Sequence, residues 1–227
     1  MKTLSILLVL IVIIGALFWL GSRDNTPIPT EEGAIVEQTG EISGDHVSID
    51  KNQSRLEWTG RKVLISGYKD TGTIPFKEGS LIVSEDAVVG GNFVFNMTEI
   101  NTETESNEKA TPDMLTRHLR SEDFFDVGNY PEARFVVTKV ELRSDLVAEN
   151  ATHLVTGNLT IKDVTAPVSF PALITEEDGK IKVEALFDID RTTWNVRYGS
   201  GSFFDNLGDN IIDDMVTLNV SIVANIN

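Results

Sequence analysis

Few residues in this chain have types and spacings that could do chemistry: His118, Arg191, Ser200, Ser202 and the acidic set Asp209, Asp213 and Asp214. His118 shares a helical spacing with Met114, Leu115 and Leu119. An imidazole there has three readings: a satisfied core residue, a contact to a polar headgroup, or an acid–base group beside a carboxylate. Arg191 follows a run in which Ile181, Val183, Ala185, Phe187 and Ile189 alternate with Lys182, Glu184, Leu186 and Asp188. If that period-two pattern continues without a bulge, Arg191 faces the same way as the apolar set. An inward arginine needs partners. A carboxylate such as Glu57 or Asp213 would serve, and so would a ligand phosphate, which suits a forked donor. Asp209, Asp213 and Asp214 could ligate calcium through oxygen. In a chain this acidic they read first as a solvated loop. Ser200 and Ser202 lie among glycines with no base marked for either.

The remaining chemistry is thin. Of the three histidines, His46, His118 and His153, no two have a helical metal spacing, and there is no cysteine. A zinc site is therefore not expected. No phosphate-binding glycine loop, nucleophile elbow or dinucleotide fingerprint occurs. No residue is assigned as catalytic or metal-ligating.

The elements that would position these groups read mostly as strands. Besides 181–189, Val216, Leu218, Val220, Ile222 and Ala224 alternate with Thr217, Asn219, Ser221 and Val223, and Phe93, Phe95 and Met97 form another apolar face. Phe135 and Val137 stand opposite Val136, Val140 and Leu142, so that strand is apolar on both faces near its start. Further strands are expected near 54–62, 71–76, 79–83, 153–162 and 164–174. Glu78-Gly79, Gly90-Gly91 and Asp178-Gly179 read as turns. About eight or nine short strands imply an all-β barrel or sandwich. The main helix is expected over Thr111–Ser121, with Thr111 as N-cap and Pro112 at the first helical position. A second short helix or loop is expected at Ser202–Asp213.

The chain has 227 residues, a formal net charge of -16 and 41% hydrophobic residues. The acidity argues against nucleic acid, which needs a basic patch. Leu4–Leu20 is an almost unbroken apolar run behind Met1-Lys2-Thr3. Residues 1–22 therefore read as a transmembrane anchor, with a cleaved signal segment as the competing reading. Residues 23–45 read as a disordered acidic linker, and 46–227 as the folded domain. Either reading of the amino terminus takes the domain out of the cytoplasm, to a bacterial periplasm anchored on the inner membrane or released into it.

Four blocks carry a resemblance. They are Trp58–Lys62 with Gly72–Phe76 and Gly79–Leu81; His118–Phe135, HLRSEDFFDVGNYPEARF; Gly157–Lys162 through Pro171; and Asp190–Trp194 with Tyr198–Asp209. In order and spacing they resemble the YceI-like family of polyisoprenoid-binding envelope proteins, in a form like that of Bacteroidetes-type bacteria. Asp163 stands where that family often has glycine. The resemblance implies a lipocalin-like antiparallel β-barrel with one or two short helices and an apolar pore. It implies non-enzymatic binding, and transport or sequestration, of a long-chain isoprenoid or related lipid. The pore would be lined by Phe76, Phe93, Phe95, Leu115, Leu119, Phe135, Val183, Phe187 and Trp194, with His118 and Arg191 at the mouth. No cofactor is implied beyond a bound isoprenoid lipid or quinone. A homodimer is compatible with the chain. Two other functions stay open: an enzyme acting on such a lipid through His118, and a filled barrel serving as an interaction module.

Overall fold

The structure, a computed structural model, describes residues 42–104 and 111–226. The apolar run Leu4–Leu20 and the linker up to residue 41 lie outside the described residues. Among the described residues no helix is long and apolar enough to cross a membrane.

Among the described residues eleven strands form one antiparallel sheet: β1 (Asp45–Ser48), β2 (Arg55–Arg61), β3 (Lys69–Thr73), β4 (Phe76–Ser84), β5 (Ala87–Asn96), β6 (Asn101–Thr104), β7 (Glu132–Leu142), β8 (His153–Ile161), β9 (Val164–Glu177), β10 (Lys180–Asp190) and β11 (Met215–Asn225). The order across the sheet is β1-β4-β5-β7-β8-β9-β10-β11-β2-β3-β6. The sheet curls until Ile49, just past β1, bridges Ala224 of β11. The count exceeds the expected eight or nine because β1 and β6 are four-residue strands of polar sequence. Such strands carry no period-two signal.

One helix, α1 (Pro112–Arg120), covers one end of the curl. The Thr111 side chain accepts a hydrogen bond from the Met114 amide, so the N-cap forms as the sequence predicts. Two contacts dock the helix on the sheet. Thr116 Oγ1 accepts from the Thr102 amide at 2.8 Å, and the Arg120 guanidinium donates twice to the Ile100 carbonyl, at 2.7 and 3.0 Å. Of the two alternatives expected at Ser202–Asp213, a short helix or a loop, the segment is a loop that holds one 3-10 turn at Gly208–Asn210.

Two of the expected turns prove to be strand interiors. Gly79 lies within β4, and Gly90 and Gly91 within β5. The real β4–β5 hairpin turns at Glu85 and Asp86, both in the left-handed region at φ 50° and 62°. Lys162 and Asp163 (φ 49° and 58°) turn β8 into β9 in the same way. Asp163 thus adopts the conformation a glycine would supply, and the turn is kept. Two-residue turns of this kind match the right-handed twist of the flanking strands.

Close approach explains glycine elsewhere. Gly72 pairs with Trp58 across β3 and β2, and a Cβ there would lie 1.9 Å from the Asn101 carbonyl oxygen. On β7 the ladder shifts between Val137 and Lys139. That bulge moves the inward set from the odd positions Phe135 and Val137 to the even position Val140. It accounts for the two-faced apolar pattern of this strand; Leu142, the last residue of β7, lies beyond the packed interior and is 78% exposed.

Candidate functional site: an apolar interior with a polar mouth

Period-two alternation fills the concave side of the sheet with hydrocarbon. On β10, Ile181, Val183, Ala185 and Ile189 are buried, and Lys182, Glu184, Leu186, Asp188 and Asp190 are exposed. β11 pairs with it residue for residue from Met215 to Asn225. The inward side chains do not meet at the centre. They enclose a cavity of about 430 Å³, within the range of about 300–1,000 Å³ common for small-molecule sites.

The walls are aliphatic and aromatic. Phe170 and Phe187 stack with centroids 4.0 Å apart, and Phe135 packs on Phe170 at 5.7 Å. Phe76 contacts Phe93 and Phe95 at 6.2 and 5.2 Å. Of the residues expected to line the pore, Phe76, Phe93, Phe95, Leu115, Leu119, Phe135, Val183 and Phe187 do so. Trp194 does not. It is buried outside the cavity wall, and its indole N–H donates to the Leu159 carbonyl at 2.9 Å. It sits in a 3-10 turn (Arg191–Trp194) that follows β10, so the strand parity that points Arg191 inward no longer applies to it. Sequence reasoning left out Trp58, Leu56, Ile74, Leu159, Phe170 and Leu218, which also line the cavity. Trp58 was legible as the large apolar member of a half-buried strand. Its N–H donates to the Asn101 carbonyl at 3.1 Å.

The polar members of the lining are Arg61, Lys62, Tyr68, Asp70, His118 and Arg191. They come from the end of β2, the start of β3, α1 and the end of β10, and they mark one mouth. At this mouth His118 packs edge-on against Tyr198 and Phe124, with centroids 4.6 and 4.9 Å apart. Its Nε2 lies 3.1 Å from Asp123 Oδ2.

Arg191 faces inward as the parity of β10 requires, and it is 6% exposed. Every N–H it carries is used within the chain. Nε donates to the Asp213 carbonyl (3.0 Å). One terminal nitrogen donates to the carbonyls of Val196 (2.7 Å) and Tyr198 (3.0 Å). The other donates to the Ile212 carbonyl (3.3 Å) and to Asp214 Oδ1 (3.2 Å). The partner carboxylate is therefore Asp214, and Asp213 contributes through its backbone. Glu57 instead bonds Arg55 and Asn219 on the outer face. Burial pulls the guanidinium below its ordinary pKa, and the Asp214 charge opposes that pull. An arginine keeps its proton regardless.

Asp214 ties in both serines. Its Oδ2 accepts from Ser200 Oγ at 2.9 Å and from Ser202 Oγ at 2.8 Å. Ser200 is wholly buried. Both hydroxyls thus serve as donors that hold the Arg191–Asp214 pair in place. This network clamps the β10–β11 connection over the mouth. Among the described residues, no group of three or more His, Asp or Glu side chains converges as a metal site.

The comparisons agree with this architecture. Protein YceI of Salmonella arizonae is 29% identical over 172 residues, which cover 66% of this chain and 80% of that protein. A UPF0312 protein of Yersinia enterocolitica is 28% identical over 150 residues, 63% of this chain and 68% of its own length. A shorter match to a UPF0312 protein of Pseudomonas putida, 44% identical over 61 residues, spans 29% of that relative. Among solved structures, BcnA of Burkholderia cenocepacia superposes with a TM-score of 0.59 at 19% identity, covering 78% of this chain and 99% of that one. A polyisoprenoid binding domain from Saccharophagus degradans gives 0.58 at 16% identity, covering 79% and 98%. At these identities the structural likeness speaks for the fold. The profile of the YceI-like domain matches residues 48–224, from the end of β1 almost to the end of β11, and the chain belongs to that family.

Proposed function

We propose that this chain binds a long-chain isoprenoid or related apolar lipid within its curled sheet, without chemical turnover, and shelters or carries it in a bacterial cell envelope. One observation carries the reading: a cavity of about 430 Å³ walled by hydrocarbon and aromatic rings, with its polar residues gathered at one mouth. An extended chain gains about 0.8 kcal/mol for each CH₂ it buries. A five-carbon isoprene unit is therefore worth about 4 kcal/mol before ordering costs. Such a wall selects for length and apolarity rather than for a particular functional group. The polyisoprenoid binding domain with the same fold supports that ligand class. Anchoring by Leu4–Leu20, with residues 23–45 as a tether, would keep the domain beside the membrane that stores such lipids. A filled interior acting only as an interaction module fits poorly with the cavity.

The test uses Trp58, which lines the cavity, while Trp194 lies outside its wall. Titrating the purified domain, residues 42–227, with a long-chain quinone should quench tryptophan fluorescence saturably. Trp58→Phe should remove most of that quenching without removing binding. Unsaturable quenching, equal in the variant, would refute the cavity as the binding site.

A second reading has one observation in its favour. His118 lies at the mouth within 3.1 Å of Asp123, an arrangement able to move a proton. If a lipid is turned over here, His118→Ala should abolish turnover and spare binding. Unchanged turnover in that variant would remove the acid–base role.

A further inference from the structure

The loop between β2 and β3 carries an exposed apolar tip at the cavity mouth, and its sequence is Arg61-Lys-Val-Leu-Ile-Ser-Gly-Tyr-Lys69. Val63 is 57% exposed, Leu64 59% and Ile65 38%. The tip is a shaped turn: the Tyr68 amide donates to the Ile65 carbonyl at 3.2 Å, and Gly67 takes φ 77°. The β10–β11 connection lies directly beside it. Lys62 bridges Ile212, which also bridges Ser200, and the Val63 amide donates to the Ile211 carbonyl. From Ser200 the chain presents Phe203 and Phe204, 46% and 51% exposed, both amides bonded to the Ser200 carbonyl. Lys62 and Tyr68 of the first loop also line the cavity. The exposed apolar rim is thus continuous with the apolar interior.

Charge selects the partner. The whole chain has a net charge of -16, yet from Trp58 to Lys69 it holds Arg61, Lys62 and Lys69 and no acid. The acids at this end lie off the loop tip: Asp70 on the cavity lining, Asp123 beside His118, Asp190 at the end of β10, Asp214 paired with Arg191, and Asp205 and Asp209 on the other loop, so the excess of cations is confined to the tip itself. Two of the cations sit over aromatic rings of the rim: Lys62 over Tyr68 at 4.9 Å and Arg197 over Phe203 at 4.3 Å. An apolar tip flanked by cations is the arrangement that enters the interfacial layer of an anionic bilayer.

We propose that the β2–β3 loop and Phe203-Phe204 dock the mouth onto an anionic lipid surface, so that cargo passes between bilayer and cavity without crossing water. The proposal rests on the lipid-binding reading above. Its orientation is specific. β1 enters at the opposite end of the sheet, beside the β4–β5 hairpin, with Asp45 paired to Val83. The preceding tether must therefore reach back past the domain for the mouth to meet the membrane that holds Leu4–Leu20. At about 3.3 Å per extended residue, the 19 residues from 23 to 41 reach roughly 60 Å.

The chain lacks cysteine, which permits single-site labelling of the full-length protein. Leu64→Cys places an environment-sensitive dye on the tip, and Leu142→Cys, at the far end of β7 and equally apolar, provides the control. Full-length protein is reconstituted in vesicles of phosphatidylcholine with and without phosphatidylglycerol. The expected result is a blue shift and quenching by lipid-borne quenchers at position 64 with the anionic lipid. The response should weaken at 1 M salt, where the Debye length falls to about 3 Å. Position 142 should stay water-like throughout. A water-like probe at 64, or equal responses at the two positions, would overturn the proposal. Solvent extraction of the same preparations reads the cavity separately. Bound lipid with a silent probe at 64 refutes docking alone. An empty cavity with a responsive probe refutes the cargo reading and leaves docking standing.

Discussion

The wall and the mouth of this protein are built by different physics. The wall, represented by β10 and β11, is held by a continuous backbone ladder and by side chains that need only be apolar and fit the available volume. The mouth has no ladder of comparable length. It is held by Arg191, whose donors reach four carbonyls and a carboxylate spread over Val196–Asp214. A wall residue shares its task with many interchangeable neighbours, whereas Arg191 is the centre of a small network in which Asp214, Ser200 and Ser202 add the side-chain bonds. The wall should therefore tolerate substitution, and the mouth should not.

The largest effect should come from Arg191→Met. It removes one member of a buried ion pair and strands four carbonyls. The expected loss is about 3–5 kcal/mol in denaturant unfolding. Arg191→Lys should recover only part of this, because three donors cannot serve five acceptors. A loss under about 1 kcal/mol would show that the loop is held by something else.

Next is Trp194→Phe, which keeps the ring but leaves the buried Leu159 carbonyl without its donor. The expected cost is about 1–3 kcal/mol. Because Trp194 is not part of the cavity wall, lipid binding should be unchanged. Lost binding with unchanged stability would return Trp194 to the pore.

On the wall, Ala185→Trp sharpens the contrast. Ala185 is buried on β10 and lines the cavity, so an indole there fills space instead of displacing packed atoms. Stability should fall by less than about 1–3 kcal/mol, the usual cost of overpacking a full core. Binding of a long-chain lipid should fall at least tenfold, read by the fluorescence titration.

The smallest effect concerns pH. His153 opens β8, and partial burial holds its pKa below the ordinary value. The folded state therefore binds this proton more weakly than the unfolded state. Its contribution is complete above about pH 6.5, the ordinary histidine value, and is lost as pH falls through the depressed folded value. His153→Gln should flatten that part of the stability–pH curve. An unchanged slope would assign it to other groups.

The same division explains what the sequence made legible. The wall was readable because its signal is periodic: the apolar residues of 181–189 and 216–224 recur at every second position, burial alternates with them along β10, and the parity of β10 was enough to turn Arg191 inward. The helix was readable because Thr111-Pro112 is a local cap. The mouth was not readable, because it is assembled from long-range contacts without period. Nothing in the sequence distinguishes Asp214 from Asp213 as the partner of Arg191, and Trp194 leaves the wall when the strand gives way to a turn. The glycines at 79, 90 and 91 misled for a related reason. Their small size serves close packing: a Cβ on Gly79 would lie 2.7 Å from Ile49, and one on Gly91 3.0 Å from the Phe93 ring. A single sequence shows the glycine but not the neighbour.

The most direct test of the central claim is mass spectrometry of an organic extract from the domain, residues 42–227, produced in its native host and purified without detergent. Ala185→Trp is prepared in parallel. The account expects a stoichiometric long-chain isoprenoid or quinone in the parent domain and little or none in the filled variant. An empty parent domain after incubation with host lipids, or equal lipid in both proteins, would contradict it.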